Sequence, residues 1–374
     1  MSDLLTIPSD LLPRDGRFGS GPSRVRDAQL QALVAAQPGV LGTSHRQAPV
    51  KNVVRSIREG LAAFYSLPDG YEVVLGNGGS TSFWDAAAFS LVESRAQHCA
   101  FGEFGAKFAS VTDKAPFLEP SVILTAEPGT VATPQPYDGV DVYAWPHNET
   151  STGAMAPVTR PEGIGDALVV VDGTSAAGGL HLDPAQVDVY YFAPQKSFGS
   201  DGGLWFAIVS PAAIARIERI AASGRWIPPT LDLATALENS RLDQTLNTPA
   251  VATLVMMDEQ VRWLNDNGGL SFATGRTSES ARRIYQWADG AEHAETFVTS
   301  HSNRSTVVAT VDLRSPLDSA ALRSHLKANG VVDIDPYRKL GRNQIRVGMF
   351  PAVDPDDVTA LTVCIDWLTE RLVQ

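Results

Sequence analysis

The sequence predicts an α/β protein: a large domain with a mostly parallel central sheet flanked by helices, and a smaller α+β C-terminal domain. Three observations predict it. The apolar runs ALVVVDG (167–173) and VDVYYF (187–192) do not alternate cleanly, as expected of strands covered on both faces. Strand-like and helix-periodic segments interleave through the middle of the chain, which implies βαβ units. After about residue 265 the order becomes helix, strand, helix, strand, helix, consistent with a separate α+β unit. The expected division is a large domain over 21–265 and a small domain over 266–374 joined by the N-terminal segment 1–20.

Element by element, helical periodicity marks DAQLQALVAAQ (27–37) and KNVVRSIREGLAAFYS (51–66). YEVVLG (71–76) reads as a strand that runs through Gly76, Gly78 and Gly79 into a helix. AEPGTVATPQPYDG (126–139), rich in Pro and Gly, reads as a surface loop. After the two apolar runs comes a further strand, LWFAIV (204–209). The long helix TPAVATLVMMDEQVRWLNDN (248–267) is the expected bridge between the units, stopped at Asn267-Gly268-Gly269. Helices at 278–288, 318–330 and 354–372 then alternate with strands at 306–313 and 344–350. Asn329-Gly330 marks a helix stop and Asp354-Pro355 a helix start.

Composition removes several function classes. The net charge of −12, with no basic tract interleaved with aromatics, argues against nucleic acid or an anionic membrane as partner. An anionic ligand must therefore be drawn by a local cluster against the global field. Cys99 and Cys364 stand far apart without metal-ligand spacing, so no disulfide framework is expected and a reducing cytoplasm fits best. The histidines show no HExxH or comparable spacing, so no metal site is expected. No apolar run is long enough to span a membrane, and the N-terminus lacks the parts of a secretion signal.

Four features stand where strands end, the place where open α/β sheets hold ligands. In LGNGGSTSFWDAAAFSL (75–91), bare glycine backbone and a helix N-terminus form an anion cup, with Ser80 and Thr81 as hydroxyl donors. Asp172 ends an apolar strand, where an unpaired carboxylate is costly. Lys196, in the loop after the next apolar strand, is an amine short of water and so a potential nucleophile. Phe104, in FGEFGAKFA (101–109), offers a flat face for stacking. Each has a plainer reading by itself: a capped turn, a helix cap, a solvated charge, a core ring. Together they fit pyridoxal phosphate, which needs an amine for its Schiff base, a carboxylate at its ring nitrogen and donors for its phosphate.

With those residues in view, the chain resembles the class-V, fold-type-I pyridoxal-phosphate aminotransferases over nearly its whole length. SHR (44–46), HNET (147–150), DGTS (172–175), QKSFG (195–199), LNTP (246–249) and IRVGMF (345–350) carry the resemblance by their order and spacing. It implies that Lys196 holds the cofactor and shuttles a proton, that Asp172 pairs with the pyridinium and that Thr150 bonds the ring's phenolic oxygen. Phe104 would stack on the ring, where the family often has tryptophan. Ser80, Thr81 and Gln195 would bind the phosphate, and Asn247 and Thr248 would reach it from the partner subunit of a homodimer. Arg346 would clamp the α-carboxylate, while His45 and Arg46 from across the dimer, with Arg338, would meet the distal anion.

The implied activity is transfer of an amino group between L-glutamate and 3-phosphohydroxypyruvate, a step of serine biosynthesis. Two departures bear on the distal anion. Many family members have a histidine where Tyr337 stands and an arginine where Ser80 stands; Lys339 and Arg342 could compensate or could form surface salt bridges. The alternatives are another class-V aminotransferase acting on alanine, serine, glyoxylate or pyruvate, and a cysteine desulfurase-like enzyme, for which neither cysteine is suitably placed. A non-enzymatic anion-binding protein would not need Asp172, Lys196 and Arg346 together.

Overall fold

The structure, a computed structural model, describes residues 4–373. Residues 1–3 and 374, assigned above to the small domain, lie outside the described residues. Two helices come first, α1 (Asp27–Ala36) and α2 (Ala48–Phe64). Then follow β1 (Glu72–Asn77), α3 (Ser80–Ser90), β2 (Ala96–Ala100), α4 (Glu103–Asp113), β3 (Val122–Thr125) and β4 (Val142–Pro146). A short hairpin, β5 (Asn148–Glu149) and β6 (Ala154–Met155), precedes β7 (Leu168–Asp172), β8 (Val189–Phe192) and β9 (Leu204–Val209). Next are α5 (Pro211–Ala221), α6 (Leu233–Arg241), α7 (Val251–Asp266) and α8 (Gly269–Gly290). The chain closes with β10 (Ala294–Thr296), β11 (Val308–Leu313), α9 (Ser319–Ala328), β12 (Gln344–Gly348) and α10 (Pro355–Leu372).

Seven strands form the central sheet in the order β1-β9-β8-β7-β4-β2-β3. Pairs β8–β7, β7–β4, β4–β2 and β2–β3 are parallel; β9 runs antiparallel to both its neighbours. The unbroken apolar runs have a direct cause. In β7, Val169 and Val171 face a core shared with Ile57 and Leu61 of α2 and Met257 and Val261 of α7. Leu168 and Val170, on the other face, pack with Phe83 and Trp84 of α3, Phe108 of α4 and Ile217 of α5. Each such burial contributes about 1.5–3 kcal/mol. The period of two also aims the strand ends: Asp172 follows Leu168 and Val170 onto the α3–α4 face.

The C-terminal part carries its own antiparallel sheet, β10-β11-β12. Its core gathers Val311, Ile345, Val347, Leu361 and Ile365 together with Ile7 and Phe18 from the N-terminal segment. The helix expected at 278–288 begins much earlier, at Gly269. The glycines at 268 and 269 do stop α7, but Gly268, at φ +116°, turns the chain directly into α8. Their absence of side chains allows that left-handed turn, so one signal ends a helix and starts the next. No helix or strand was expected at the segments forming α4, α5, α6, β2, β3, β4 and β10. The strands are short and defined by tertiary packing, whereas α5 carries a clear local signal, a Ser210-Pro211 start and apolar residues at Ala213, Ile217 and Ile220.

Candidate active site

Register places the functional strand ends side by side. Pro146 of β4 faces Asp172 of β7, and Asp172 faces Tyr191 of β8. Lys196 lies four residues beyond Phe192, in the loop that turns β8 back into β9. The N-terminal strap braces that loop: Ser23 N donates to Gln195 O at 2.9 Å, and the Ser23 hydroxyl donates to Lys196 O. The Lys196 amine donates to Ser20 O at 2.8 Å.

A glycine is required where the strap crosses the amine. Gly21 has φ +128°, and a Cβ on it would lie 2.0 Å from Lys196 Nζ. Gly21→Ala is therefore expected to displace the amine and lower kcat by about 10²-fold. Stopped-flow turnover of the folded variant, beside its melting curve, checks this.

The electrostatics of the group are unusual for a protein interior. Burial, reinforced by the Arg346 guanidinium and partly offset by Asp172, lowers the Lys196 amine to about 8. Burial pushes the Asp172 carboxyl up, opposed by hydrogen bonds from Thr174, Tyr191 and Trp84. Thr174 N donates to Asp172 Oδ1 at 2.8 Å, and Trp84 Nε1 donates to the Tyr191 hydroxyl at 2.8 Å. Arg346, on β12 opposite Thr310, has its guanidinium largely buried, which lowers its pKa. It donates to Thr150 O at 3.2 Å, and its buried Nε has no partner. None of the three charges forms an ion pair among the described residues.

A pH dependence follows. Because the amine's pKa is lowered from 10.5, its free base is present above about pH 8 and lost below it. The rate at which apoprotein takes up pyridoxal phosphate should rise with a midpoint near that value. Removing the nearby cation in Arg346→Met should move the midpoint up, and removing the anion in Asp172→Asn should move it down. Stopped-flow absorbance across pH 6–10 reads both shifts.

Around this group stand the other expected residues. The Thr150 hydroxyl donates to Ser175 Oγ at 2.7 Å, and Asn148 Nδ2 donates to the same oxygen at 2.8 Å. Ser80, the first residue of α3, shares a 2.6 Å hydrogen bond with Thr174, and Thr81 beside it is exposed. The α3 N-terminus has no side-chain cap, so its N–H groups are available to an anion. Gln195 Oε1 is buried without a partner. Phe104 is half-buried in the first turn of α4.

A second group is tied to the end of β1. His45 Nδ1 and the Thr248 hydroxyl are 3.2 Å apart, Arg46 is exposed and Asn247 O accepts from Asn77 Nδ2 at 3.1 Å. No hydrogen bond or ion pair among the described residues ties these four to Lys196, Asp172 or Arg346. Of the cations near Tyr337, Lys339 is paired with Glu103 and Arg342 with Asp312, whereas Arg338 is exposed and forms no ion pair among the described residues.

Sequence reasoning missed Glu149. It is fully buried, and its carboxylate accepts from Phe104 N at 3.0 Å, Gly105 N at 3.1 Å and Ser151 Oγ at 2.6 Å. It thus caps α4 and seats Phe104 from another part of the chain. It also missed Tyr191, Trp84 and Ser20, whose roles depend on contacts between distant segments. No local signal marks them.

The sequence profile of the class-V aminotransferases matches residues 137–332, just over half of the chain. A Mycolicibacterium vanbaalenii chain, provisionally named phosphoserine aminotransferase, is 60% identical over 372 residues, spanning 100% of each. The chain belongs to the class-V aminotransferase family. Phosphoserine aminotransferase from Rhodococcus opacus is 55% identical to this aminotransferase over 372 residues, again spanning 100% of each. The solved structure of PLP-bound phosphoserine aminotransferase from Trichomonas vaginalis has a TM-score of 0.82 at 18% identity, covering 94% of this chain and 100% of that one. That likeness shows the fold.

The residues present fit pyridoxal phosphate. A buried carboxylate without a cation suits a protonated ring nitrogen, an uncapped helix N-terminus beside Ser80 suits a phosphate, and a lowered amine suits a carbonyl.

Proposed function

We propose that this aminotransferase moves an amino group between L-glutamate and 3-phosphohydroxypyruvate, giving phosphoserine and 2-oxoglutarate in serine biosynthesis. The observation that carries the reading is the meeting of Lys196, Asp172 and Arg346: the arginine and the carboxyl both act on the lysine amine, and none of the three forms an ion pair among the described residues. The names of the 60% and 55% identical relatives support the substrate assignment.

Pyridoxal phosphate, when bound, supplies an electron sink that stabilises negative charge at the substrate's α carbon. Lys196 would hold the cofactor and, once released, move the proton on and off that carbon. Asp172, ionised, would keep the ring nitrogen protonated; Thr150 would donate to the phenolic oxygen; Phe104 would restrain the ring's face. Ser80, Thr81, Gln195 and the α3 N-terminus would hold the phosphate. Arg346 would grip the α-carboxylate, with donors that now lack acceptors.

We assign the second group to the neighbouring site of a homodimer. Asn247 and Thr248 would bind the partner's phosphate, while His45 and Arg46 with Arg338 would meet the distal anion. The exposed Arg46, and the absence of any hydrogen bond from His45 or Thr248 to Lys196 among the described residues, support this, and sedimentation equilibrium tests it. The two cores support a large domain over 21–265 and a small one over 266–374 with 1–20, α8 packing on both through Ala273 and Ile284. Among the described residues no helix is long and apolar enough to cross a membrane, and we place the enzyme in the cytoplasm.

The test is spectroscopic. Glutamate should bleach the cofactor's visible band, and phosphohydroxypyruvate should restore it far faster than pyruvate. Equal recovery with pyruvate would move the assignment to another class-V aminotransferase.

A further inference from the structure

We propose that Tyr337 is a positioning residue for substrate carboxylates: its ring braces the Arg346 guanidinium, and Lys339 and Glu103 latch its loop to the helix bearing Phe104. The proposal rests on the reading of Arg346 given above. A guanidinium has five donors, and Arg346 is fixed by a single hydrogen bond to Thr150 O. It would be free to swing without a second restraint. Tyr337 supplies one: the Arg346 Cζ lies 5.7 Å from its ring centroid, within the range of cation–π attraction. The phenol adds no charge that would repel the guanidinium.

The same ring faces Phe104, with centroids 6.3 Å apart and planes tilted by 55°. Tyr337 therefore lies between the residue expected to stack on the cofactor and the residue expected to hold the substrate. Its own loop is short and tied down. Leu340 N donates to Tyr337 O at 3.0 Å, and Gly341 at φ +63° ends the turn. Lys339 then pairs with Glu103, the first residue of α4, which also meets Lys107 at 3.4 Å. An acid there complements the helix N-terminus as well. The Lys107 ammonium sits 5.5 Å from the Phe104 ring centroid, so the latch and the stacking residue share one helical turn.

A brace of this kind acts on bound substrate and transition state alike, so its loss should raise KM and leave kcat nearly unchanged. Tyr337→Leu, which keeps bulk and removes the π face, should raise KM for glutamate and 2-oxoglutarate about five- to tenfold, with kcat within about twofold. Tyr337→Phe should keep KM within about twofold. Glu103→Gln, which releases the latch, should raise KM about two- to threefold.

A binding readout separates the brace from turnover. Glutarate, a dicarboxylate with no group to transfer, should bind the Leu variant of the holoenzyme more weakly by the KM factor and the Phe variant as wild type does. Calorimetry reads this. A Tyr337→Leu protein with wild-type KM and glutarate affinity, or a Tyr337→Phe protein as impaired as the Leu variant, would overturn the proposal. Undiminished glutarate binding by Arg346→Met would instead overturn the assignment of Arg346 beneath it.

Discussion

Replacing Lys196 by alanine should remove at least about 10⁴-fold of the transamination rate while the protein stays folded. No other amine can substitute. Lys107 and Lys339 are both exposed and engaged with Glu103, and neither has the burial and the Arg346 neighbour that lower Lys196 to about 8. The fold should tolerate the change, since the amine makes one hydrogen bond, to Ser20 O, and its burial opposes its charge. The measurements are steady-state transamination, the visible band of the cofactor-loaded protein and the melting temperature. Turnover within tenfold of wild type, or an unchanged visible band, would refute the assignment of the lysine.

The second large effect belongs to Asp172. Asn is nearly isosteric and can still accept from Thr174 N, so Asp172→Asn removes a charge with little change of shape. Losing one preorganised charge opposite the reacting system should lower kcat by about 10²–10³-fold. Stability of the apoprotein should move the other way. The folded carboxyl is raised above its usual value, so its contribution to stability is present at low pH and lost as pH rises through the raised pKa. Above that raised pKa the unpaired carboxylate destabilises the apoprotein, and there the Asn variant should melt higher than wild type. A lower melting temperature with kcat intact would reverse both halves of this account.

Much of the architecture was legible locally. The apolar runs of β7 and β8 announced a sheet covered on both faces, and the periodic segments that form α2, α7 and α10 needed no partner to be recognised. Lys196, Asp172 and the glycine loop also stood out as candidates, because a carboxylate that closes an apolar strand, or an amine in the short loop between two such strands, requires an explanation. Glu149 did not. Its neighbours in HNET look like a turn, and its task of capping α4 exists only once residues 103–105 are folded against it.

The same division holds for the charges. Residue order established which groups are present, where the strands end, and that an acidic chain concentrates cations in a few places. Only the folded chain decided which of those cations are free. Arg342 and Lys339 are neutralised by Asp312 and Glu103, whereas Arg346 is enclosed beside Thr150 and Tyr337 with donors to spare. Strand periodicity is a property of neighbouring residues, so it is written in the chain. Desolvation and pairing depend on which distant segments pack together, and that is settled only by tertiary structure.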